Sequence, residues 1–275
     1  MRVPRGIIGV VHLQALPGDP GHRGDGGYAA AYEHARRDAE ALVAGGVAAL
    51  IVENFGSAPF VKGCAGDRLP PWQAAALAKV CLDCKSLGVP VGVNCLRNDA
   101  YTALGIAAAC GLDFIRVNVH SGAYVTDQGL IEGEAAQTLR LRRQLGVDGG
   151  GGTDGVAILA DVLVKHAAPL APLEPEDATH DCLDRGLADA VIVSGSGTGQ
   201  PVDRELLARV RGAAGGKPVL IGSGLTPDNA GELLPLADAA IVGTWLKVDG
   251  RVLNPVDRER VRVLVSACAP HFGIQ

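Results

Sequence analysis

The chain has 275 residues, of which 48% are hydrophobic and 20% charged, and its formal net charge is -5 at pH 7. Nucleic-acid binding needs a basic face, and base stacking needs aromatic side chains, which make up only 4% of the chain, so the composition argues against a nucleic-acid partner. No apolar stretch reaches the length of a membrane span, and the apolar run near the N-terminus predicts a strand rather than a secretory signal, so we expect a cytoplasmic protein.

Eight short runs of mostly apolar, β-branched residues recur along the chain, with longer Ala-, Leu- and Arg-rich segments between them. Runs that are apolar almost throughout are typical of parallel strands covered on both faces. Pro70, Pro175, Pro227 and Pro255 stand where helices are expected to begin. The predicted strands are Gly6–Leu13, Ala49–Asn54, Val91–Leu96, Phe114–His120, Ala157–Leu163, Ala190–Gly195, Pro218–Gly224 and Ala239–Trp245.

Eight strand–helix units without a compositional boundary predict a single (β/α)₈ TIM barrel over residues 1–275. A doubly wound parallel sheet is the alternative. The glycine-rich run Gly146–Gly155 falls between the fourth helix and the fifth strand, on the side of the barrel away from an active site. We interpret it as a flexible connector, because it lacks the Gly-Lys-Ser/Thr ending of a phosphate loop.

Most of the seven cysteines sit in apolar runs and are interpreted as reduced core thiols. Cys81 and Cys84 form a C-x-x-C pair, but inside a helical pattern, with no second pair and no histidines at zinc-type spacing. We therefore predict neither a metal site nor a cofactor.

Polar residues at the strand ends are the candidates for chemistry, because barrel enzymes build their active sites at the C-terminal ends of the strands. Side-chain alternation places Arg116, Asn118 and His120 on one face of the fourth strand. It places Asp161 and Lys165 together if the fifth strand stays extended. A buried carboxylate and ammonium within hydrogen-bond distance, directly or through one water, can act as acid and base. The alternatives are that Asp161 caps a turn and Lys165 is a solvated loop residue.

Two more strand ends carry polar candidates. Glu53 and Asn54 close the second strand just before a loop with glycine and proline, which is typical of a position at the barrel mouth. His12 and His120 end the first and fourth strands, and their alternative role is that of hydrogen-bonded core histidines.

Glycine turns follow the seventh and eighth predicted strands, where barrels often bind phosphate together with the N-terminus of a short helix. Glycine lets backbone N–H groups approach an anion, and the helix end adds partial positive charge. The turns Gly222–Gly224 and Gly243–Thr244 therefore predict an anion site, most simply for phosphate, unless the glycines only permit tight turns. The loop Ser194–Gln200 after the sixth strand is interpreted as another wall of the pocket or a mobile lid. Gln200 stands where a dinucleotide fingerprint needs its third glycine.

Seven segments, in order, resemble the BtpA/SgcQ family: VENFGSAPF, GVNCLRNDA, FIRVNVHSGAYVTDQGLIEG, ILADVLVKHAAPL, DAVIVSGSGTG, VLIGSGLTPDN and AIVGTWLK. The resemblance runs from about Gly9 to about Val263 and implies a TIM barrel of the broad phosphate-binding type. The family is named for a cyanobacterial factor needed to build or stabilise photosystem I, and some relatives are described as nucleosidases. The residues that end strands seven and eight also look like those of indole-glycerol-phosphate synthase. By the family resemblance the pocket residues are Glu53, Asn54, Asn94, Arg97, Asn118, Asp127, Asp161, Lys165, His166, Ser194 and Thr198.

We expect an enzyme acting on a small phosphorylated or otherwise anionic metabolite, a sugar phosphate or nucleoside-type compound, as a lyase, isomerase or nucleosidase-like hydrolase. The alternative is a non-catalytic assembly factor for a membrane complex. The sequence leaves open whether the chain forms a homo-oligomer. In an enzyme, Asp161→Asn and Lys165→Ala are expected to abolish turnover and leave the fold almost unchanged. The candidate catalytic residues are Asp161, Lys165, Glu53 and Asn118; the substrate-binding ones His12, Asn54, Asn94, Arg97, His120, Asp127 and His166; the phosphate-binding ones Ser194, Gly195, Thr198, Gly222, Ser223, Gly224, Gly243 and Thr244.

Overall fold

The computed structural model describes residues 3–24, 26–150, 155–195 and 197–273. Eight parallel strands follow one another around a closed barrel in chain order, and the last pairs with the first. The closed barrel confirms the predicted (β/α)₈ fold and excludes the doubly wound sheet. Numbered together with three short strands outside the barrel, its strands are β1 Gly6–His12, β2 Ala49–Glu53, β3 Val91–Asn94, β4 Phe114–Val117, β7 Ala157–Val162, β9 Ala190–Val193, β10 Val219–Ile221 and β11 Ala239–Val242.

Helices surround the barrel and alternate with its strands. Pro175 and Pro227 each begin a helix and Pro70 directly precedes one, as predicted. Pro255 does not: the last helix begins three residues later, where the Asp257 side chain accepts hydrogen bonds from its first-turn N–H groups. The helices are α1 Gly27–Ala44, α2 Pro71–Lys85, α3 Ala100–Cys110, α4 Ala135–Gln144, α5 Pro175–His180, α6 Arg204–Ala213, α7 Pro227–Leu233 and α8 Arg258–Phe272.

Side-chain alternation divides every barrel strand between two cores. On β1, Ile7 and Val11 pack outward against the helices, while Ile8 and Val10 point into the barrel. Gly92 on β3 makes room for the ring of Phe114, since a Cβ at this glycine would lie 2.2 Å from the ring. Side chains therefore fill the interior, and a ligand site has to lie above them.

A second, antiparallel sheet stands beside the barrel mouth, and sequence analysis did not predict it. It consists of β5 Ala123–Thr126, β6 Gly129–Glu132 and β8 Ala167–Pro169. Tyr124 and Ile131 anchor it in a small core of their own. The sheet matters for function because its β5–β6 turn contains Asp127 and its edge strand β8 directly follows His166.

Several barrel strands end earlier than predicted. β4 ends at Val117 rather than His120, and β7 ends at Val162, just before Leu163 turns the chain with a φ of 49°. The predicted connector Gly146–Gly155 lies partly outside the described residues, because 151–154 are not described. The interpretation of the whole chain as one domain stays a prediction.

The cysteines are free, and six of the seven are buried. Burial raises the pKa of the Cys84 thiol to about 12 and that of Cys81 well above its ordinary value, so both thiols of the C-x-x-C pair stay protonated. Within the described ranges no cluster of His, Cys, Asp and Glu side chains is arranged to hold a metal ion. No helix of the described part of the chain is long and apolar enough to cross a membrane.

Candidate active site

A layer of polar residues and glycines lies directly above the apolar core of the barrel. Each strand has a last apolar residue that points into the barrel core, and on β3 this place is taken by Gly92. Two residues further along, alternation brings the next inward-facing position, and in every case it is polar or glycine. These positions are His12, Glu53, Asn94, Arg116, Asp161, Ser194, Gly222 and Gly243, one from each strand. The candidate site is therefore a property of the whole barrel rim.

Arg116 and Asp161 form a buried ion pair at the centre of this layer. The guanidinium Nε and Nη2 donate to Asp161 Oδ2 and Oδ1 at 3.0 and 2.9 Å, and the two side chains are 3% and 0% exposed. Asn118 Nδ2 donates to Oδ2 at 2.6 Å. Burial opposes the charge of Arg116, but the carboxylates of Asp161 and Glu53 together raise its pKa. Both oxygens of Asp161 are thus occupied, which suits a counter-ion better than the acid–base catalyst expected from the sequence.

Glu53 is the more available carboxylate. Its Oε1 accepts a hydrogen bond from Asn94 Nδ2 at 3.0 Å and lies 3.5 Å from Arg116 Nη1. Its Oε2 accepts no hydrogen bond from any residue that the structure describes. Asn94 and Arg116 therefore fix the orientation of Glu53 and leave one oxygen for a ligand.

Lys165 reaches the mouth through a turn and not through strand alternation, because Leu163 and His166 both adopt positive φ angles, 49° and 56°. Arg97 Nη2 donates to the Lys165 carbonyl at 2.6 Å and so holds the backbone of this turn. The ammonium itself makes no hydrogen bond or ion pair with the described residues, so the direct bond to Asp161, one of the two arrangements expected, does not form. Burial, and then the nearby charge of Arg116, lower the pKa of Lys165 to about 8.

The predicted anion turns line a cavity of about 210 Å³. The backbone N–H groups of Ser223, Gly224, Gly243 and Thr244 donate to no described residue. Asn229 braces the first turn, accepting from the Thr226 N–H at 2.8 Å and donating to the Gly224 carbonyl at 2.9 Å. The cavity wall therefore contains preformed, unpaired backbone donors of the kind that an oxyanion accepts.

The glycines of these turns also have a packing role. A Cβ at Gly222 would lie 2.4 Å from Ser194 Oγ, and one at Gly243 would lie 2.5 Å from His12 Cε1. Gly224 has a φ of 71°, and a Cβ there would lie 2.2 Å from the Gln200 carbonyl oxygen. Tight packing alone thus requires glycine at all three positions, so glycine by itself does not identify an anion site here.

Two details of the expected anion site need correction. The helix that follows the first turn, α7, has only seven residues, and the Thr226 N–H at its start already donates to Asn229, so this N–H group is not available to an anion. The Ser223 hydroxyl is also engaged, because it accepts from Gly195 N at 3.1 Å and donates to the Gln200 carbonyl at 3.3 Å. Backbone N–H groups and the Thr244 hydroxyl are the donors that remain.

A second cavity, of about 410 Å³, adjoins the first at the mouth. Both cavities are lined by Glu53, Arg116, Lys165 and Thr198, so these residues form the junction between them. Burial and the nearby Lys165 lower the pKa of His166, whose ring is therefore neutral at pH 7. The other polar residues of the second cavity are Asn94, Arg97, Asn118, Asp127 and His166, all candidates from the sequence.

Five sequence candidates line neither of these two cavities, and one of them is Asp161, whose oxygens are held by Arg116 and Asn118. Asn54 holds the Leu96 backbone with both ends of its amide, at 2.7 and 3.2 Å. His120 donates from Nε2 to the Gly186 carbonyl at 2.8 Å, because the chain has already left the strand. Ser194 contacts the Arg116–Asp161 pair at 3.4 Å, and Gly195 is bonded to Ser223. Their predicted contacts with a ligand stay predictions, while the structure shows them bracing the site.

His12 separates the first cavity from a third one, of about 630 Å³, beside α1. The ring packs edge-on against Phe55 with centroids 4.9 Å apart, and its buried Nδ1 has no partner among the described residues. Burial, and then the charge of Lys247, lower the pKa of His12 to about 3. His12 is therefore a neutral donor or acceptor at the mouth.

Arg116 is the central residue that the sequence analysis did not select. It was recognised as a polar strand-end residue, yet it belonged to no predicted set. Its position two residues after Phe114, on the same inner face, is the signal that could have found it, together with Asp161 at the equivalent place on β7.

Known proteins resemble this chain in sequence and in fold. The sequence profile of the BtpA family matches residues 4–270. Photosystem I biogenesis protein BtpA of Synechocystis is 47% identical over 264 residues, which are 96% of this chain and 88% of that protein. An uncharacterized protein of Thermococcus kodakarensis is 47% identical over 259 residues, 94% of this chain and 93% of that one. Among solved structures, phosphoribosyl anthranilate isomerase from Thermus thermophilus superposes with a TM-score of 0.54 at 16% identity, over 96% of this chain and 98% of that chain, a likeness of fold alone.

Proposed function

The chain belongs to the BtpA family, and from this premise and the geometry of its mouth we propose that it is an enzyme acting on a small phosphorylated metabolite. One observation carries the proposal. A cavity walled by unpaired backbone N–H groups opens, through Lys165 and Glu53, into a second cavity with charged and amide side chains. A phosphate at one end and a reacting group at the junction suit this arrangement.

The roles divide by cavity. The N–H groups of the turns Gly222–Gly224 and Gly243–Thr244 receive the phosphate, with the Thr244 hydroxyl as a side-chain donor. Arg97, Asp127 and His166 contact the remainder of the metabolite in the second cavity. The barrel fold itself is shared with phosphoribosyl anthranilate isomerase, whose name specifies a phosphoribosyl substrate, and this agrees with the proposal without establishing it.

The reaction class follows from the groups at the junction. Lys165 provides an amine with a lowered pKa, Glu53 a carboxylate with a free oxygen, and Arg116 a fixed positive charge. This set suits lyase, isomerase or nucleosidase-like chemistry, in which a proton moves while negative charge develops on oxygen.

Thermal-shift measurements test the anion site. A ligand that binds only the native state raises the melting temperature by mass action. We expect inorganic phosphate and ribose 5-phosphate to raise it, and ribose to have no effect at the same concentration. Thr244→Val should reduce the shift, while Ser86→Ala, a change to an exposed hydroxyl just after the end of α2, should not. Equal shifts with ribose and ribose 5-phosphate would contradict the proposal.

The second candidate function is assembly of a membrane complex, and it rests on the name of the Synechocystis relative. An assembly factor needs a partner surface and does not need the polar mouth. The two functions therefore differ in which residues they require, and a complementation experiment described below separates them.

A further inference from the structure

Two lysines, the buried Lys247 and the partly buried Lys165, lie at the mouth side of the barrel, and their surroundings differ. Lys247 is 0% exposed, and its ammonium pairs with Asp38 on α1. Lys165 lines both mouth cavities, and its ammonium has no hydrogen bond or ion pair among the described residues. Lys247 is therefore a structural cation, whereas Lys165 is held in a ligand cavity without a partner.

The charges around Lys165 are already balanced without it. Arg116 is paired with Asp161 at 2.9 Å and lies 3.5 Å from Glu53. The remaining nearby cation, Arg97, donates to the Lys165 carbonyl from the other side. A protonated Lys165 would add positive charge beside Arg116, whose charge is already balanced by the two carboxylates. This arrangement favours the neutral amine form of Lys165.

A neutral amine in a ligand cavity is a nucleophile. With a pKa of about 8, about one Lys165 in ten is unprotonated at pH 7, compared with fewer than about one in a thousand for an ordinary lysine. Lysines desolvated beside another cation are the type that forms Schiff bases with carbonyl substrates.

We propose that Lys165 forms an iminium with a carbonyl carbon of the substrate, so that the phosphorylated metabolite is an aldehyde or ketone. This inference rests on the proposed function and narrows its substrate class. The phosphate lies at the glycine turns, the carbonyl carbon lies at the junction beside Lys165, and the remainder of the carbon chain extends toward Arg97 and His166.

The step balances with the groups at the junction. The lone pair of Nζ attacks the carbonyl carbon, forming the N–C bond, and the carbonyl π pair moves to oxygen. One proton passes from nitrogen to that oxygen, relayed by Glu53 Oε2, to give a carbinolamine. A second proton, taken up from water and delivered through Glu53, lets the oxygen leave as water, and nitrogen forms a double bond to carbon. The net reaction joins amine, carbonyl and one proton into an iminium and one water.

Reductive trapping tests the inference directly. The wild-type protein is incubated with dihydroxyacetone phosphate, glyceraldehyde 3-phosphate or ribose 5-phosphate and then treated with sodium borohydride, which converts an iminium irreversibly into a secondary amine. We expect at least one of these probes to increase the intact mass by the mass of the probe less one oxygen atom. Peptide mapping should locate the adduct on Lys165. Excess inorganic phosphate should suppress it by competing for the anion site.

Variants distinguish a site-directed adduct from random modification. Lys165→Met and Lys165→Arg should lose the adduct, while Lys217→Met, which removes an exposed lysine, should keep it. Adducts spread over surface lysines and unaffected by Lys165→Met would overturn the inference, as would the absence of any adduct with all three probes. If phosphate still raises the melting temperature in that case, the anion site and the proposed function stand and only the covalent step is lost.

Discussion

Arg116 and Asp161 face each other across neighbouring strands β4 and β7 and make a two-pronged ion pair, with N–O distances of 2.9 and 3.0 Å, inside the barrel rim. Such a pair is costly to bury but far more costly to break, because the partner that remains is an uncompensated buried charge. This relationship changes what the Asp161 carboxylate is expected to do. It holds Arg116, and Arg116 in turn lies beside Glu53.

Asp161→Asn should therefore destabilise the protein, contrary to the expectation from sequence that this change leaves the fold almost unchanged. We expect a loss of about 3 kcal/mol in the free energy of unfolding, at the low end of the range for breaking a buried pair, because Glu53 still partly compensates Arg116. Urea denaturation measures it. The exposed pair Lys79–Asp83 supplies a control, since Asp83→Asn should cost less than about 1 kcal/mol. An Asp161→Asn variant as stable as the wild type would show that the Arg116–Asp161 ion pair does not stabilise the fold.

Lys165→Met should have the opposite effect. Burial and Arg116 lower the pKa of Lys165 from 10.5 to about 8, so the unfolded chain binds more protons than the native state between these pH values. The wild type's free energy of unfolding should rise as the pH increases from 8 to 10.5, and below pH 8 the charged lysine should cost up to about 3 kcal/mol. Lys165→Met removes this cost and should be more stable at pH 7, with the difference shrinking as the pH rises. Denaturation at several pH values tests this, and Lys217→Met should show no such pH-dependent gain.

The sequence predicted the barrel well because each strand is a short apolar run between amphipathic segments. It also predicted which inner-face positions are polar, since alternation is a local property and His12, Glu53 and Asn94 all lie within their strands. The residue at which each strand ends, by contrast, is not determined by the local sequence pattern. His120 turned away from the mouth, to the Gly186 carbonyl, because β4 ends at Val117. Lys165 reached the mouth because the chain bends at Leu163 and turns at His166.

Pairing between side chains was likewise beyond the sequence. Asp161 and Lys165 are four residues apart, and their proximity in the chain suggested a working pair. The partner of Asp161 is Arg116, 45 residues away. The parallel register sets Arg116 opposite Leu159, two residues before Asp161 on the same inner face, and the Arg116 side chain reaches across that offset. The strands β5, β6 and β8 have only three or four residues each and are partly exposed, so they gave no long apolar run to detect, which is why the sheet beside the mouth was missed.

Asp38→Asn should weaken the attachment of the loop after β11 to α1. Burial raises the pKa of Asp38, but hydrogen bonds from His34 and Lys247 outweigh it and lower the pKa to about 2. A carboxyl with a depressed pKa contributes stability above its unfolded value of 3.8, and that contribution disappears as the pH falls through 2. The titration accounts for about 2 kcal/mol, and the variant also leaves Lys247 buried without a counter-charge. Unfolding measured from pH 7 down to pH 2 should show a large difference from the wild type at pH 7 that shrinks in acid; a constant difference would contradict the assignment.

The choice between enzyme and assembly factor depends on a variant that changes the chemistry and spares the fold, and Lys165→Met is that variant. It removes the amine at the junction, which has no partner among the described residues, and it is expected to be at least as stable as the wild type. Asp161→Asn cannot serve, because its loss of stability would lower abundance and imitate a loss of function.

The host is a Synechocystis strain lacking its own BtpA relative, complemented with wild type, Lys165→Met or Lys217→Met at matched protein levels. If the protein acts as an enzyme, wild type and Lys217→Met should restore the strain and Lys165→Met should not. Full rescue by Lys165→Met would remove the enzyme interpretation, because an assembly factor with an intact outer surface has no need of a reactive amine inside its barrel.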